Sequence, residues 1–186
     1  MTSDSFNIFT WDAENRLSTV NGTAASYTYD AVGWRVQKTT GSGSVQYLFD
    51  AAGHVTEELN GSTLNRAEIY LGNIHLGTYS SGNIYFSHSD LLGTERARTL
   101  MTAPGTATQT CTGLPFGDGQ SCTGTESSPL HFTGFERDTE SGLDQTWFRK
   151  YSSAQGRWLT ADPLGPVWIH RRPSPSIGIT MLWARQ

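Results

Sequence analysis

The sequence predicts an all-β fold, an antiparallel β-hairpin meander with a small irregular core segment, and three observations carry that expectation. A unit of the form aromatic-x-aromatic-Asp-Ala-x-(Gly or Asn) recurs every 18 to 20 residues. Asn-Gly and similar turn dipeptides fall midway between the units. No stretch has a convincing helical apolar period. The expected strands lie near 6–11, 16–20, 24–29, 34–40, 44–49, 54–59, 63–71, 74–80 and 84–88.

The repeat is Phe9-Thr10-Trp11-Asp12-Ala13-Glu14-Asn15, Tyr27-Thr28-Tyr29-Asp30-Ala31-Val32-Gly33 and Tyr47-Leu48-Phe49-Asp50-Ala51-Ala52-Gly53. Aromatics two apart share one face of a strand. The Asp ends that strand, because its carboxylate accepts a hydrogen bond from the N–H two residues on. Three residues after the Asp, Gly or Asn tolerates positive φ. At the other hairpin ends, Asn21-Gly22 and Asn60-Gly61 suit type I′ turns, with Gly41-Ser42-Gly43 and Ser81-Gly82-Asn83 as slightly longer loops. Tyr27/Tyr29 and Tyr47/Phe49 alternate cleanly, whereas Leu17 and Thr19 oppose Ser18 and Val20 weakly. The aromatic row Trp11, Tyr29 and Phe49 is expected to stack between successive hairpins.

Four segments follow from composition: hairpins over 6–101, a Thr/Gly/Ser/Pro-rich surface loop over 102–128, a core segment over 129–165, and an unpacked tail over 166–186. Within the core segment, Ser141 to Tyr151 could form a short helix. The 186 residues suit one domain. Six Trp, seven Tyr and eight Phe argue against disorder, and a net charge of −4 argues against nucleic acid as a partner. No apolar run approaches a membrane span, and Met1-Thr2-Ser3-Asp4-Ser5 does not read as a signal peptide.

With these residues in place, the chain resembles the Rhs (rearrangement hotspot), or YD-repeat, family over about residues 6 to 165. The aromatic-Asp units look like its tyrosine–aspartate repeats. Tyr85-x-x-His88-x-Asp90-Leu91-x-Gly93-Thr94-x-Arg96 resembles the repeat before its core. Gly134-x-Glu136-Arg137-Asp138-x-Glu140-x-Gly142-Leu143, with Arg149-x-Tyr151 and Gly156-Arg157-x-x-x-x-Asp162-Pro163-x-Gly165, resembles the Rhs repeat-associated core. The resemblance implies a hairpin strip that spirals into a hollow shell around a toxic C-terminal domain. It implies a core that closes the shell, a secreted or cell-surface setting, and a role in bacterial competition. The expected partners are the rest of a longer shell and its toxin cargo. Two departures stand out. Pro166-Val167-Trp168 follows Gly165 in place of the family's Asn-Leu-Tyr type stretch, and Ser152 replaces a motif Asp. The chain therefore reads as a remnant of a longer protein with a degenerate tail.

The chemistry is sparse. The resemblance offers at most a vestigial self-cleaving aspartyl pair, Asp138 and Asp162, with Arg137 lowering one carboxyl. The alternative is that Asp138 caps a turn and Asp162 fixes the loop before Pro163. A carbohydrate or cell-surface binding module is a further alternative. His88 and Asp90 read as a family turn rather than metal ligands, and Gly117-Asp118-Gly119 as a turn rather than a calcium loop. No cofactor is implied. Cys111 and Cys122 are either a disulfide or two free thiols.

Overall fold

A computed structural model describes residues 2–4 and 6–162. Twelve strands form one sheet in strict chain order, each hydrogen-bonded to the next: β1 (Phe9–Trp11), β2 (Leu17–Val20), β3 (Ala25–Tyr29), β4 (Arg35–Thr40), β5 (Gly43–Phe49), β6 (Val55–Asn60), β7 (Thr63–Leu71), β8 (Ile74–Ser80), β9 (Asn83–Ser89), β10 (Glu95–Leu100), β11 (Ala103–Thr112) and β12 (Ser121–Gly124). A second sheet of four short strands follows: β13 (Glu136–Asp138), β14 (Leu143–Gln145), β15 (Lys150–Ser152) and β16 (Arg157–Trp158). The all-β meander expected from the repeats is the observed fold.

The aspartate turns follow one pattern. Asp12, Asp30, Asp50 and Asp90 each accept at Oδ1 from the backbone N–H groups two and four residues on, at 2.8–3.0 Å. The residue three after each Asp, namely Asn15, Gly33, Gly53 and Gly93, has positive φ. At one of these glycines packing is tight as well: a Cβ on Gly53 would meet the Trp34 indole at 3.2 Å. Asp30→Ala strands two N–H donors and is expected to lower stability by about 1–2 kcal/mol. Asp30→Asn keeps the Oδ1 acceptor and should cost less, as urea denaturation of the two variants would show.

A bulge recurs in the strand after these turns and after the Gly72-Asn73 turn between β7 and β8. Register slips by one residue between Thr10/Trp11, Thr28/Tyr29, Leu48/Phe49, Ile69/Tyr70 and Glu95/Ala97. Each slip leaves one residue unopposed, so positions three apart, rather than two, share a face. The pairs set on one face are Leu17/Val20, Arg35/Lys38, Val55/Glu58, His75/Thr78 and Glu95/Arg98. This explains the weak alternation of Leu17 to Val20: Leu17 and Val20 are both fully buried.

Several sequence expectations need correction. The stretch 102–128 is not simply a loop. It supplies β11 and β12, which pair with Cys111 directly opposite Cys122. The two cysteines form a disulfide. The short helix expected over 141–151 is instead β14 and β15, joined through Thr146 to Arg149. At Asn60-Gly61 the two-residue loop is Gly61-Ser62, because Asn60 already pairs with Thr63, and only Gly61 has positive φ. Ser81-Gly82 is a two-residue loop, with Asn83 already in the ladder. The expected tail 166–186 lies outside the described residues.

The apolar core is small. Phe9, Leu17, Val20, Ala25 and Tyr27 of the first hairpins pack with Leu143 and Leu159 of the core segment, and Trp11 and Tyr29 lie against them. The core segment therefore rests on the face of the large sheet that the bulges define.

Candidate functional site

Beside this apolar cluster, a buried ionic contact joins the sheet to the core segment. Asp138 at the end of β13 is wholly buried. Both oxygens of its carboxylate accept from Arg35 Nη1, at 2.7 and 2.6 Å; Oδ1 also accepts from Lys38 Nζ at 3.1 Å and Oδ2 from Lys150 Nζ. Two residues earlier on the same strand, Glu136 accepts from Arg35 Nη2 at 2.9 Å, Arg66 Nη2 at 2.5 Å and the Tyr47 hydroxyl at 2.9 Å. Arg66 continues to Glu58 at 3.1 Å and to Glu68. Glu68 in turn accepts from His75 Nε2 at 2.8 Å and the Thr78 hydroxyl at 2.6 Å.

The hairpin geometry sets this row. The bulge in β4 turns both Arg35 and Lys38 toward Asp138, and the bulge in β8 turns both His75 and Thr78 toward Glu68. The repeat aromatics hold the cations: the Arg35 guanidinium lies 4.7 Å from the Tyr47 ring and 5.5 Å from Tyr27, and Lys150 Nζ lies 4.3 Å from Tyr27. A second buried cluster joins Glu95, Arg98 and Ser87, with Arg98 also donating to Thr78 and Ser128.

Burial alone would push these carboxyls up, but the cations reverse it. Arg35, Lys150 and Lys38 hold Asp138 far below the usual carboxylate range. Arg66 and Arg35 lower Glu136, and Glu68 is held down at about 2 against its burial by His75, Arg66 and Thr78. Lys150 moves the other way: full burial and repulsion from Arg35 outweigh the attraction of Asp138 and bring it down to about 8. Three cations thus crowd one carboxylate.

The sequence-predicted site residues go to different places. Asp138 is at the centre of the network, ionised and enclosed. Asp162 is half exposed and pairs with Arg149 at 3.0 Å. Arg137, expected as a charge partner for one carboxyl of the pair, instead binds Asp144 at 2.7 Å and Ser153 at 2.7 Å, because alternate residues of β13 face opposite ways. The turn Asp138 was expected to cap is closed by its main-chain carbonyl, which accepts from Ser141 and Gly142. Trp11, Tyr29 and Phe49 each have another neighbour: Trp11 meets Phe9 at 6.4 Å, Arg16 lies over Tyr29 at 4.9 Å, and Phe49 meets Trp34 at 5.1 Å. His88 bonds the Thr99 hydroxyl at 2.9 Å, away from the turn that Asp90 closes. Asp118 accepts from the N–H of Gly119.

At the aspartate-turn end of the sheet, a cavity of about 770 Å³ separates the hairpins from the core segment. Trp34, Phe49 and Tyr70 line it from the sheet, and Phe135, Glu136 and Trp147 from the core. The residues that sequence reasoning missed are Arg35, Lys38, Arg66, Glu68, Glu136 and Lys150. Arg35 and Lys38 stand at the first position of β4 and three further on, a pairing that only the bulge reveals, and the other four carry no local signal.

Among the described residues, no helix is long and apolar enough to cross a membrane. Residues 11–45 match the family model described as RHS Repeat. The tRNA3(Ser)-specific nuclease WapA of Bacillus spizizenii is 27% identical over 180 residues, which is 87% of this chain and 7% of that protein. The crystal structure of TcdB2-TccC3-Cdc42 superposes with a TM-score of 0.69 at 19% identity, covering 89% of this chain and 9% of that one. The Photorhabdus luminescens Tc holotoxin pore superposes with a TM-score of 0.63 at 16% identity, covering 88% and 9%. The chain thus spans less than a tenth of the length of each of these relatives. Residues 11–45 thus match the RHS Repeat, the chain shares the fold of the TccC3-containing structures, and the resemblance to the Rhs/YD-repeat family read from its sequence holds.

Proposed function

We propose that this chain is a structural segment of a YD-repeat shell, and that in a full-length parent the shell encloses a C-terminal toxin domain. Its role is mechanical rather than catalytic. The hairpins supply wall, and the core segment is fixed to the wall's face as a closure. The single observation that carries this reading is the buried ion network, in which Glu136 and Asp138 of β13 pair with Arg35 and Lys38 of β4 and Arg66 of β7, while Lys150 of β15 closes on Asp138 from within the core segment. Partners are the neighbouring hairpins of the parent and its cargo, in a secreted or cell-surface setting.

The ionised, triply paired state of Asp138 argues against an aspartyl dyad, which needs one carboxyl protonated. Purified protein is therefore expected to remain a single polypeptide, read by intact mass after prolonged incubation. Two fragments that Asp138→Asn abolishes would overturn the non-enzymatic reading. Enclosure is tested in a parent protein that includes the downstream domain. That domain should resist added protease in the wild type and become sensitive when Asp138→Ala frees the closure. Equal digestion in both would contradict it.

A further inference from the structure

The chain has two Asn-Gly dipeptides, both at hairpin ends, and the structure treats their side chains differently. The Asn21 amide is tied at both ends. Its Oδ1 accepts from the N–H of Ile8 at 2.8 Å, and its Nδ2 donates to Oδ1 of Asn7 at 2.8 Å. The Asn21 N–H also donates to the carbonyl of Ile8 at 2.8 Å, so β1 and the turn after β2 are stitched together by this one residue. Asn60 has only its place in the ladder, opposite Thr63. Its side chain is exposed and makes no hydrogen bond among the described residues. Gly61 follows at φ +60°, and nothing stands within 4 Å of where a side chain would project.

We propose that Asn60 is a site of spontaneous deamidation and that the hydrogen bonds on Asn21 protect its otherwise equivalent dipeptide. The reaction needs only water. The backbone nitrogen of Gly61 attacks Cγ of Asn60 and forms a C–N bond. The Cγ–Nδ2 bond breaks, and the proton of the Gly61 amide leaves with the departing nitrogen as ammonia. Water then opens the cyclic imide at either carbonyl and gives aspartate or isoaspartate. No electrons are transferred, and no side chain other than that of Asn60 takes part.

Glycine after Asn favours the attack because no side chain hinders the nucleophilic nitrogen. Asn21 shares that advantage, but reaching the attack geometry means turning its amide away from both Ile8 and Asn7. Asn60 loses no side-chain bond on the same rotation. The product matters locally. It adds a carboxylate to a hairpin that already carries Glu57 and Glu58. In the isoaspartyl form it also inserts a methylene into the main chain at the Asn60–Thr63 pair, loosening the register of β6 and β7 at their tip.

The test is peptide mapping of the intact, folded chain after incubation in mildly alkaline buffer. The peptides holding Asn21 and Asn60 are followed in the same sample. The proposal expects the Asn60 peptide to gain the deamidation mass several-fold faster than the Asn21 peptide, and Asn60→Gln to abolish that gain. Equal rates at the two sites, or faster conversion of Asn21, would overturn it. Asn7→Ala removes one tie on Asn21 and should raise its rate toward that of Asn60. An unchanged Asn21 rate in a folded Asn7→Ala protein would contradict the protective role assigned to the side-chain hydrogen bonds.

Discussion

Asp138→Ala is expected to destabilise the protein by about 3–5 kcal/mol, since it leaves Arg35, Lys38 and Lys150 as buried cations around an empty position. Equilibrium urea denaturation measures it directly. Lys150→Met should cost less than Asp138→Ala, because Asp138 keeps Arg35 at 2.7 and 2.6 Å and Lys38 at 3.1 Å. The same network fixes how stability depends on pH. Asp138, Glu136 and Glu68 all have folded-state pKa values below their unfolded values. Their contribution is present above the unfolded carboxyl range and is lost as pH falls through the folded values. Stability should therefore drop between about pH 5 and pH 2, and the drop should be shallower in Asp138→Ala. Lys150 acts oppositely: its folded value of about 8 lies below 10.5, so its buried charge opposes folding at neutral pH. That burden lifts as pH rises from about 8 to about 10.5.

Breaking the Cys111–Cys122 disulfide is expected to cost about 3 kcal/mol, the loop-closure value for a sequence separation of 11. For a chain of this length that corresponds to a melting temperature lower by about 6–12 °C. The loss should localise to β12, because its ladder runs only from Gln109 to Thr112 against Ser121 to Gly124. Melting curves of the oxidised protein, the reduced protein and the Cys111→Ser/Cys122→Ser double variant should place the last two together. A reduced protein as stable as the oxidised one would mean the ladder holds β12 without the bridge.

The hairpins were legible because their information is local. An Asp, the N–H groups two and four residues on, and a residue tolerant of positive φ lie within five positions, so sequence alone exposes the turn. The bulges were not legible in that way. Period-two alternation puts Arg35 with Gln37, whereas the slip in β4 puts it with Lys38. The charge network was hidden for a different reason. Arg35 meets Asp138 across 103 residues of sequence, and Arg66 meets Glu136 across 70. Nothing near Arg35 distinguishes it from a solvated arginine. The 102–128 stretch misled through composition: Thr, Gly and Ser signal loops, yet Thr110 and Thr123 pair across β11 and β12 with hydroxyls 3.0 Å apart. The only long-range signal there was the pair of cysteines, which spacing alone left undecided between thiols and a bridge.

The central claim is that the core segment is locked onto the hairpin sheet by buried ion pairs, so that the two sheets form one structural unit. Amide hydrogen exchange on the whole chain, wild type against Asp138→Ala, tests it most directly. In the wild type, β13 to β15 should be protected to the same extent as β4 and β7 and open together with them. In Asp138→Ala, β13 to β15 should lose protection first. Rapid exchange of β13 to β15 in the wild type, with the large sheet still protected, would show that the core segment is not fixed to the wall and would contradict the account.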